Sequence, residues 1–535
     1  MKNIDVGKIV ISPYEFKIIQ EIRIEKKLNE HETLYVRGII SDEEQIAPVT
    51  NADDSTTITC ENDGIIYFKG VLRNVKIASV ESVFQLEIFA ISNTILLDTI
   101  KHNRSFQDND QTYQSIIESI IEGSMTYNAP EMTVENIILQ YNETDWEFAK
   151  RLASHTQDVL IPITADEPSF HFGATNEGSA TLTTNNFLIS KDIDVFRRMS
   201  KEEKSLSAED VTVVSVVADE FLCELGDKFT FNGMDLRVYG ISLSYIDAAL
   251  AVTYTLVPQK AISAPKHYNK AITGLVLDGT VMEVENDTLK LKLDDDAERG
   301  VELDTAEEHF FKYATDYSME THTGWYVMPE EGDTVQLFFP KEDEKYAYAT
   351  SAIRRDDTDK TTDHLVKYLR TSFGKEIKFD KNEILISSLD DTTFICINED
   401  EKKGITITTP HPVLIHSGST LTMTSDDDMT ITTEKNLYIE AKDSIKMVNA
   451  GNNMSFIPAD GINVATDKKL SVSSDDDTSI DSTTKVSMSS GDDMNISSGS
   501  ILFESAERVI EISCSDSSIK MDGNIDIAAK LIKQN

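Results

Sequence analysis

Three acidic side chains have the spacing of the first ligands in a calcium-binding loop: Asp294, Asp296 and Glu298. Such a loop needs a glycine at its sixth position to make a sharp turn, but Arg299 stands there and Gly300 comes one place late. We therefore expect no calcium site here. The sequence predicts no bound metal and no cofactor.

Two histidines, His411 and His416, lie close together beside Pro410 and Pro412. A zinc site needs three or four protein ligands, and no third ligand is near in sequence, so we interpret them as surface residues. The chain has no HExxH, GxSxG, phosphate-loop or CxxC pattern. Carboxylates are so numerous that no pair stands out as a glycosidase acid and nucleophile. The prediction is that the protein has no catalytic residues and is not an enzyme.

Length and charge limit the remaining classes of function. A chain of 535 residues is expected to form three or more folded units. With 93 Asp and Glu against 50 Lys and Arg, the net charge of -43 is unsuited to binding nucleic acid or an anionic membrane. The 4 cysteines are scattered, which indicates synthesis in a reducing compartment. No segment is typical of a signal peptide or a membrane span, so we expect synthesis in the cytoplasm without a signal peptide.

Alternating apolar and polar residues predict a mainly β chain that contains β-barrels and a few helices. Two alternating runs around a polar turn occupy residues 15–40, and the pattern returns at residues 64–92. About five strands between residues 271 and 353 match a small barrel of the OB kind. The predicted divisions are 1–105, a β-barrel; 106–260, a second region with helices and a β-barrel; 261–270, a linker; 271–355, an OB-fold; 356–372, a linker; and 373–535, a repetitive tail.

Two helices are predicted within the second region. Apolar residues recur at helical spacing between residues 109 and 122, up to Gly123. A second helix begins near Thr144, which can cap its free amides. We interpret both tryptophans of the chain as core residues rather than as platforms for sugar rings. The residues concerned are Tyr113, Ile116, Ile117, Ile120 and Ile121 for the first helix, Asp145, Trp146, Phe148, Ala149 and Leu152 for the second, and Trp325 for the other tryptophan.

From Gly404 onward, pairs of apolar residues at positions i and i+2 recur every eight residues, with one extra residue after the sixth octad. Asp triplets such as 426–428 fall between the pairs and are interpreted as solvated corners. The apolar members predicted to form a buried core are Ile405, Ile407, Val413, Ile415, Leu421, Met423, Met429, Ile431, Leu437, Ile439, Ile445, Met447, Met454, Phe456, Ile462, Val464, Leu470, Val472, Ile480, Val486, Met488, Met494 and Ile496.

An octad of this kind is too short to enclose a core alone. A pair at i and i+2 is one face of a short strand, and a single-chain β-helix needs a coil of roughly 20 residues. Three chains wound together would complete a triangular prism, and about twelve octads at ~4.8 Å per strand would make it on the order of 60 Å long. Disorder does not explain a fixed register, and a calcium-binding nonapeptide solenoid does not match the period. A two-sided single-chain solenoid is the remaining alternative.

The order of these parts resembles the hub and spike proteins of contractile phage tails, and equally the VgrG spikes of type VI secretion and related injection systems. In that family a trimeric hub, an OB-fold neck and an intertwined trimeric β-helix follow one another. Glu143, Asp145, Phe148 and Leu152 match the family's E-x-D-x-x-F-x-x-x-L helix, a structural element of the hub. The resemblance rests on RSFQDNDQTYQSIIESII (104–121), YNETDWEFAKRLASHTQDVLIP (141–162), GWYVMPEEGDTVQLFFP (324–340) and the octads.

The resemblance implies a homotrimeric central hub and envelope-puncturing spike at the tip of a contractile phage-tail-like particle, working mechanically. Its expected partners are copies of itself, the tail tube, baseplate proteins and the envelope of the target cell, with no nucleic-acid site. No histidine follows His416 to form the iron-binding tip motif of some spikes, which leaves room for a separate tip protein. A trimeric polysaccharide-degrading tailspike and a trimeric adhesin are the alternatives. The sequence does not distinguish a phage tail from a bacteriocin-like particle or a secretion system, and it does not identify the target cell.

Overall fold

The structure is a computed structural model, and its folded elements are mostly β-strands, as the sequence predicts. The chain divides into two compact units, Met1–Val413 and Leu414–Asn535. The residues that the structure describes are 6–41, 46–175, 178–194, 196–197, 207–246, 249–262, 265–293, 309–315, 323–354, 363–388, 392–399, 403–449, 454–456, 461–499, 510–514 and 517–521.

The N-terminal part of the first unit consists mainly of antiparallel strands, with three α-helices described in full and further helical residues at 193–194 and 196–197. Short 3-10 helices cover Val6–Lys8, Asn93–Asp98 and Gln259–Ala261. In chain order the elements are β1 (Ile9–Ser12), β2 (Phe16–Lys27), β3 (Thr33–Ile40), α1 (Ala47–Thr50), β4 (Thr57–Asn62), β5 (Ile65–Val80), β6 (Val83–Ser92), β7 (Lys101–Phe106), α2 (Tyr113–Ile120), β8 (Ser124–Tyr127), β9 (Ile138–Thr144), α3 (Asp145–His155), β10 (Leu160–Pro162), β11 (Ser169–Phe172), β12 (Ser179–Leu182), β13 (Phe187–Lys191), β14 (Thr212–Ala218), β15 (Lys228–Phe231), β16 (Met234–Ile246) and β17 (Ala249–Val257).

One twelve-stranded sheet joins the two regions that the sequence divides at residue 105. Its strand order is β1-β4-β5-β6-β3-β2-β16-β17-β14-β13, and β15 pairs with both β16 and β12. Strands β2 and β16 form the junction, where Ile24 lies opposite Leu243. Side chains from both regions also share one core, which includes Val36 and Tyr254. The predicted division at residue 105 therefore does not separate two sheets.

Helices α2 and α3 pack together over a second core. Helix α2 begins at the capping box of Thr112 and buries Tyr113, Ile116, Ile117 and Ile120. Around the helices lie a two-stranded sheet of β7 and β9 and a three-stranded sheet of order β10-β11-β8. Among the described residues, no helix has the length and apolar character that crossing a bilayer requires.

A closed five-stranded barrel follows, as the alternation between residues 271 and 353 predicts. Its strand order is β18-β19-β20-β22-β21, with β20 and β22 parallel. The strands are β18 (Val276–Glu285), β19 (Thr288–Leu293), β20 (Phe310–Ala314), β21 (Thr334–Phe338) and β22 (Tyr348–Ile353), with 3-10 helices at Lys270–Ile272 and Glu344–Tyr346.

One residue beside the barrel differs from the prediction. Trp325 is 71% exposed and is not a core residue, whereas Trp146 is 1% exposed. The reason is position: Trp325 precedes β21 in a loop, where the hydroxyl of Tyr326 donates to the carbonyl oxygen of Asn286. A strand-like sequence therefore lies outside the barrel, and its aromatic rings stay at the surface.

The last sheet of the first unit is an antiparallel meander of five strands. It begins at Lys367, inside the segment that the sequence predicts to be a linker. Two further strands pair with each other near the end of the tail. The strands are β23 (Lys367–Arg370), β24 (Glu376–Phe379), β25 (Glu383–Ser387), β26 (Phe394–Asn398) and β27 (Ile405–Thr408) in the meander, and β28 (Ile510–Cys514) and β29 (Ser517–Met521) in the tail.

Candidate functional site

The backbone of the repetitive tail bends once every eight residues, in step with its apolar pairs. Between one bend and the next, the described residues 409–499 form no β-ladder with any other described part of the chain. Strand-forming segments without a ladder leave their amide and carbonyl groups open to another chain. The paired bend residues are 410–411, 418–419, 426–427, 434–435, 442–443, 467–468, 475–476, 483–484 and 491–492.

The apolar pairs of the tail are exposed in the single chain. Their exposed fractions run from 46% at Met494 to 78% at Val472. An apolar residue between the two members of a pair is more exposed still: Leu414 is 89% exposed, and Tyr438 is 85% exposed between Leu437 at 55% and Ile439 at 63%. The pair members therefore share one face, and the chain itself does not cover that face.

A hydroxyl side chain holds each of several bends. Ser474 Oγ accepts a hydrogen bond from the amide of Asp476 at 3.2 Å and donates to the carbonyl oxygen of Asp477 at 3.3 Å. Such local bonds favour a turn over a continuing strand. All of these hydroxyls stand four residues after the first member of an apolar pair: Thr409, Ser417, Ser425, Thr433, Thr466, Ser474, Ser482 and Ser490.

The meander that precedes the tail carries a similar apolar face. Directly opposite residues on neighbouring antiparallel strands point to the same side, so cross-strand pairs form rows over the sheet. Each member of the two rows is at least 37% exposed. The rows are Leu369, Ile377, Ile386, Ile395 and Ile407 in one, and Phe379, Ile384, Ile397 and Ile405 in the other.

Helix α3 joins the twelve-stranded sheet region to the barrel. Its first turn is held by Thr144, which accepts from the amide of Glu147 at 3.1 Å while the Glu147 carboxylate accepts from the amide of Thr144. Asp145 accepts from Arg104 Nη1 at 2.5 Å. Trp146, Phe148 and Leu152 are at most 1% exposed. These contacts explain why a helix begins here and which face it buries.

Arg151 is the buried charge that links α3 to the barrel. Its guanidinium binds both carboxylate oxygens of Glu143, through Nε at 2.9 Å and Nη2 at 2.8 Å. Its Nη1 donates to Glu344 at 3.0 Å, and Nη2 also donates to the carbonyl oxygen of Leu139 at 2.8 Å. Burial alone would lower the pKa of Arg151, but Glu344 and Glu143 outweigh burial and raise it. The guanidinium therefore stays charged inside the protein.

The barrel core extends into the strand before α3. Ile137 and Leu139, 1% and 0% exposed, belong to the same apolar cluster as Val281 and Leu291 of the barrel. Gln107 adds a bond from its Nε2 to the carbonyl oxygen of Leu291 at 3.0 Å. We name the group of Ile137, Leu139, Arg151 and Glu344 the hub–barrel joint.

A histidine closes one side of this joint. His155 Nε2 lies 2.7 Å from the carbonyl oxygen of His267, and the Ser154 hydroxyl accepts from the amide of His267 at 2.8 Å. Burial first, and then the nearby charges of Arg151 and Lys266, lower the pKa of His155 to about 3. The imidazole is therefore neutral at pH 7. Part of the predicted linker at 261–270 is thus tied to α3.

The residues singled out from the sequence fall into separate groups. Glu143, Asp145, Trp146, Phe148 and Leu152 lie together in and beside α3. The octad residues lie on the exposed tail face, and the calcium-like group at 294–298 lies outside the described residues. Among the described residues, no group of three His, Cys, Asp or Glu side chains could hold a metal ion.

Sequence reasoning missed two features. Arg151 comes 8 residues after Glu143 in a segment rich in charged residues, a pattern that usually faces solvent. Its other partner, Glu344, is 193 residues away. The Ser and Thr residues at the bends could have been found, because they recur with the same period as the apolar pairs. Their repetition is a sequence signal of turns.

Comparisons with known proteins give matches for the tail and for the fold. Residues 400–530 match the family model DUF2345, described as an uncharacterized protein conserved in bacteria. A comparison with curated proteins finds no match.

Three solved structures illustrate the likeness. An Escherichia coli type VI secretion component, itself described as similar to the T4 bacteriophage tail proteins gp27 and gp5, is 14% identical; the match covers 65% of this chain and 100% of that one, with a TM-score of 0.47. A chain of the Francisella PdpA–VgrG complex is 8% identical over 73% of this chain and 83% of that one, with a TM-score of 0.45. A prophage tail protein from Shewanella oneidensis is 12% identical over 48% and 98%, with a TM-score of 0.39. Their descriptions name a type VI secretion component, a VgrG-containing complex and a prophage tail protein, which are the kinds of protein that the sequence resembles.

Proposed function

We propose that this chain is the homotrimeric central hub and envelope-puncturing spike of a contractile phage-tail-like particle, and that it acts mechanically rather than by catalysis. The observation that carries the proposal is the tail: a strictly periodic chain whose apolar face and backbone edges are both left open. Copies of the same chain are the partner that matches both features along the whole length of the repeat.

Three copies are inferred from the size of the repeat. Each octad contributes one short segment, one bend and two apolar side chains, about a third of the coil that encloses a β-helical core. Three chains related by a threefold axis would supply three such segments per level, direct the apolar pairs at the axis and satisfy every backbone edge. Single-chain winding would have left the pairs covered, whereas they are at least 46% exposed.

The meander supports association that begins before the octads. Its two rows of exposed isoleucine, leucine and phenylalanine side chains form a continuous apolar face on one side of the sheet. A face of this kind is expected to pack against its counterparts in the neighbouring copies. The buried axis would therefore start with β23 rather than with the first octad.

An edge of the twelve-stranded sheet supports association of the hub as well. Strand β13 ends the sheet, and Phe187, Leu188 and Ile189 are exposed on it at 44%, 65% and 46%. Exposed apolar edge strands are sites for pairing with another chain. In a ring of three copies, such an edge would meet the next copy.

The hub–barrel joint suits a part that transmits force. A shared apolar core and a buried arginine between two carboxylates connect the sheet region to the barrel. Sheath contraction would push the hub, and the barrel would follow without a hinge. The proposed partners are the tail tube and baseplate proteins, and the envelope of the target cell. A separate tip protein is a further possible partner.

Purification of the particle tests this function. A tagged chain should co-purify with tube and sheath proteins and be found by electron microscopy at one end of the tube, in three copies per particle. A variant with Leu437→Asp and Ile439→Asp should abolish that incorporation. Release of oligosaccharides from capsular or cell-wall glycan by the isolated protein would favour a tailspike enzyme instead, and stable binding to whole cells without any tube would favour an adhesin.

A further inference from the structure

We propose that lysine and aspartate side chains at the corners of the tail form ladders between copies of the chain and set the register in which the three copies associate. The proposal rests on the proposed function, because it needs the three-chain prism. It adds a specificity element to a surface whose apolar pairs differ little in size and chemistry.

The geometry of a threefold prism decides which residues become neighbours. Each octad lies on one face, and the next octad of the same chain passes to the next face one strand further along the axis. On any one face, the residue beside position j is therefore residue j+8 of an adjacent copy, about 4.8 Å away. Side chains at the same octad position thus stack in a column made of alternating copies.

Two octad positions carry charges that alternate in sign. Counting from the first apolar residue of each pair, the eighth position reads Lys469, Asp477, Lys485 and Asp493 in successive octads. Oppositely charged neighbours across strands stabilise a sheet, and like charges destabilise it. In the prism, every charged neighbour of one of these side chains in its column would carry the opposite charge.

The seventh position follows the same rule in two shorter stretches. It reads Asp427, Lys435 and Asp443 in the first, and Lys468 and Asp476 in the second. The sixth position does not alternate, since Asp467 and Asp475 follow each other there, so the ladders belong to positions seven and eight.

These charges are available in the single chain. Every one of the side chains at positions seven and eight named above is exposed. Among the described residues of the tail, none of them takes part in an ion pair. Within the described residues, these side chains are therefore open to partners on an adjacent copy.

The apolar pairs alone give only a weak register signal. Most octads present two apolar side chains of similar size, so a copy shifted by one whole octad would still bury most of its pairs. That shift would place Lys469 beside Lys469 or Lys485, and Asp477 beside another aspartate. The alternating columns would therefore disfavour the shifted assembly, as charged flanking positions do in coiled coils.

Charge exchange within one column tests the ladder without changing composition or net charge. In the full-length chain, Lys469→Asp with Asp493→Lys gives the order Asp, Asp, Lys, Lys, which makes two of the three neighbour contacts repulsive. The fourfold variant Lys469→Asp, Asp477→Lys, Lys485→Asp and Asp493→Lys inverts the column and restores alternation. Both are compared with the unchanged protein by following trimer dissociation on heating at about 50 mM and about 1 M NaCl.

We expect the double variant to dissociate about 5 °C below the unchanged trimer at low salt, with a smaller difference at high salt because salt screens exposed charges. The fourfold variant should return to within about 1 °C of the unchanged protein. Equal midpoints for all three trimers at low salt, or a fourfold variant as weak as the double one, would overturn the ladder while leaving the trimer intact. An unchanged protein that is not trimeric would instead overturn the proposed function.

Discussion

The barrel and the tail use the same side chains in opposite ways. Both have apolar residues at alternate positions, yet Val281, Leu291 and Leu337 of the barrel are at most 1% exposed, while Leu437 and Ile439 of the tail are 55% and 63% exposed. The difference lies in closure. Five barrel strands pair in a ring inside one chain, whereas each tail segment bends away after a few residues and finds no ladder within the described chain.

In the proposed trimer, this difference marks where folding of one chain ends and assembly begins. Burying a Leu, Ile, Val or Met side chain contributes about 1.5–3 kcal/mol, and the barrel gains this within a single copy. The described tail residues do not gain it within one copy, and in the proposed trimer they would gain it from the other copies. The stability of the tail is therefore expected to depend on protein concentration, and that of the barrel is not.

The largest expected effect comes from placing charge on the tail face. Leu437→Asp with Ile439→Asp would put six carboxylates at the axis of a trimer, which is strongly unfavourable in a dry core. We expect loss of the trimer, while residues 1–260 keep their fold. Analytical ultracentrifugation measures the first, and protease resistance of the N-terminal part measures the second.

Tyr438→Asp is the matched control for that change. Tyr438 lies between the two positions but is 85% exposed on the other face. Its variant should stay trimeric. A trimer that survives Leu437→Asp with Ile439→Asp would contradict the axial position of the pairs.

Breaking the hub–barrel joint should have the next largest effect, and only on the first unit. Arg151→Met leaves the buried Glu344 and the partly buried Glu143 without their cation, and loss of one partner in a buried pair costs about 3–5 kcal/mol. The expected outcome is a lower free energy of unfolding for the hub and barrel in a urea titration. Lys150→Met, at the neighbouring position in α3, is the control and should change the free energy of unfolding little. Equal decreases in both variants would contradict the claim that the ion pairs of Arg151 stabilise the joint.

Acidification should lower the stability of the hub–barrel joint, and this effect should not depend on the tail. Burial, Arg151 and Lys266 lower the pKa of His155 from its ordinary value of 6.5 to about 3. Between those values the unfolded chain binds a proton that the folded chain does not, so the free energy of unfolding falls as pH drops from about 6.5 toward 3.

Replacement of His155 checks this pH dependence. In His155→Gln the amide can still donate to the His267 carbonyl but does not titrate. Unfolding by urea at pH 7, 6, 5 and 4 should therefore give a shallower decline for the variant than for the unchanged protein. Parallel declines would show that other groups cause the loss.

The smallest effect is expected from the hydroxyls at the bends. Ser474→Ala removes the two bonds that hold one corner, each worth about 0.5–1.5 kcal/mol net. A small decrease in the dissociation temperature of the trimer should follow. Ser471→Ala, between Leu470 and Val472, removes a hydroxyl outside a bend and should not change the dissociation temperature. A decrease of the same size in this variant would show that the hydroxyls at the bends have no special effect on the stability of the tail.

Periodicity explains why the strands and helices could be predicted. The alternation of residues 16–40 and the helical spacing from Tyr113 to Ile120 are local patterns, and the structure has strands and a helix there. The eight-residue period of the tail is also a local pattern, and the bends of the backbone recur with the same period. The pairing of β2 with β16 could not be predicted, because the 12-stranded sheet joins residues far apart in the chain.

Contacts over long sequence distances explain what the sequence did not predict. Arg151 meets Glu344 only because the barrel folds back onto α3, and no local pattern encodes that contact. The prediction for Trp325 was wrong for a related reason: its flanking residues have the composition of a strand, yet β21 begins only at Thr334. In both cases the tertiary context decided.

The mass of the purified full-length chain tests the central claim most directly. Light scattering at about 1 mg/ml in moderate salt should give about three times the chain mass of 59.8 kDa. A mass of 59.8 kDa, with a tail that resists proteolysis, would contradict the claim that the tail is completed by other copies of the chain.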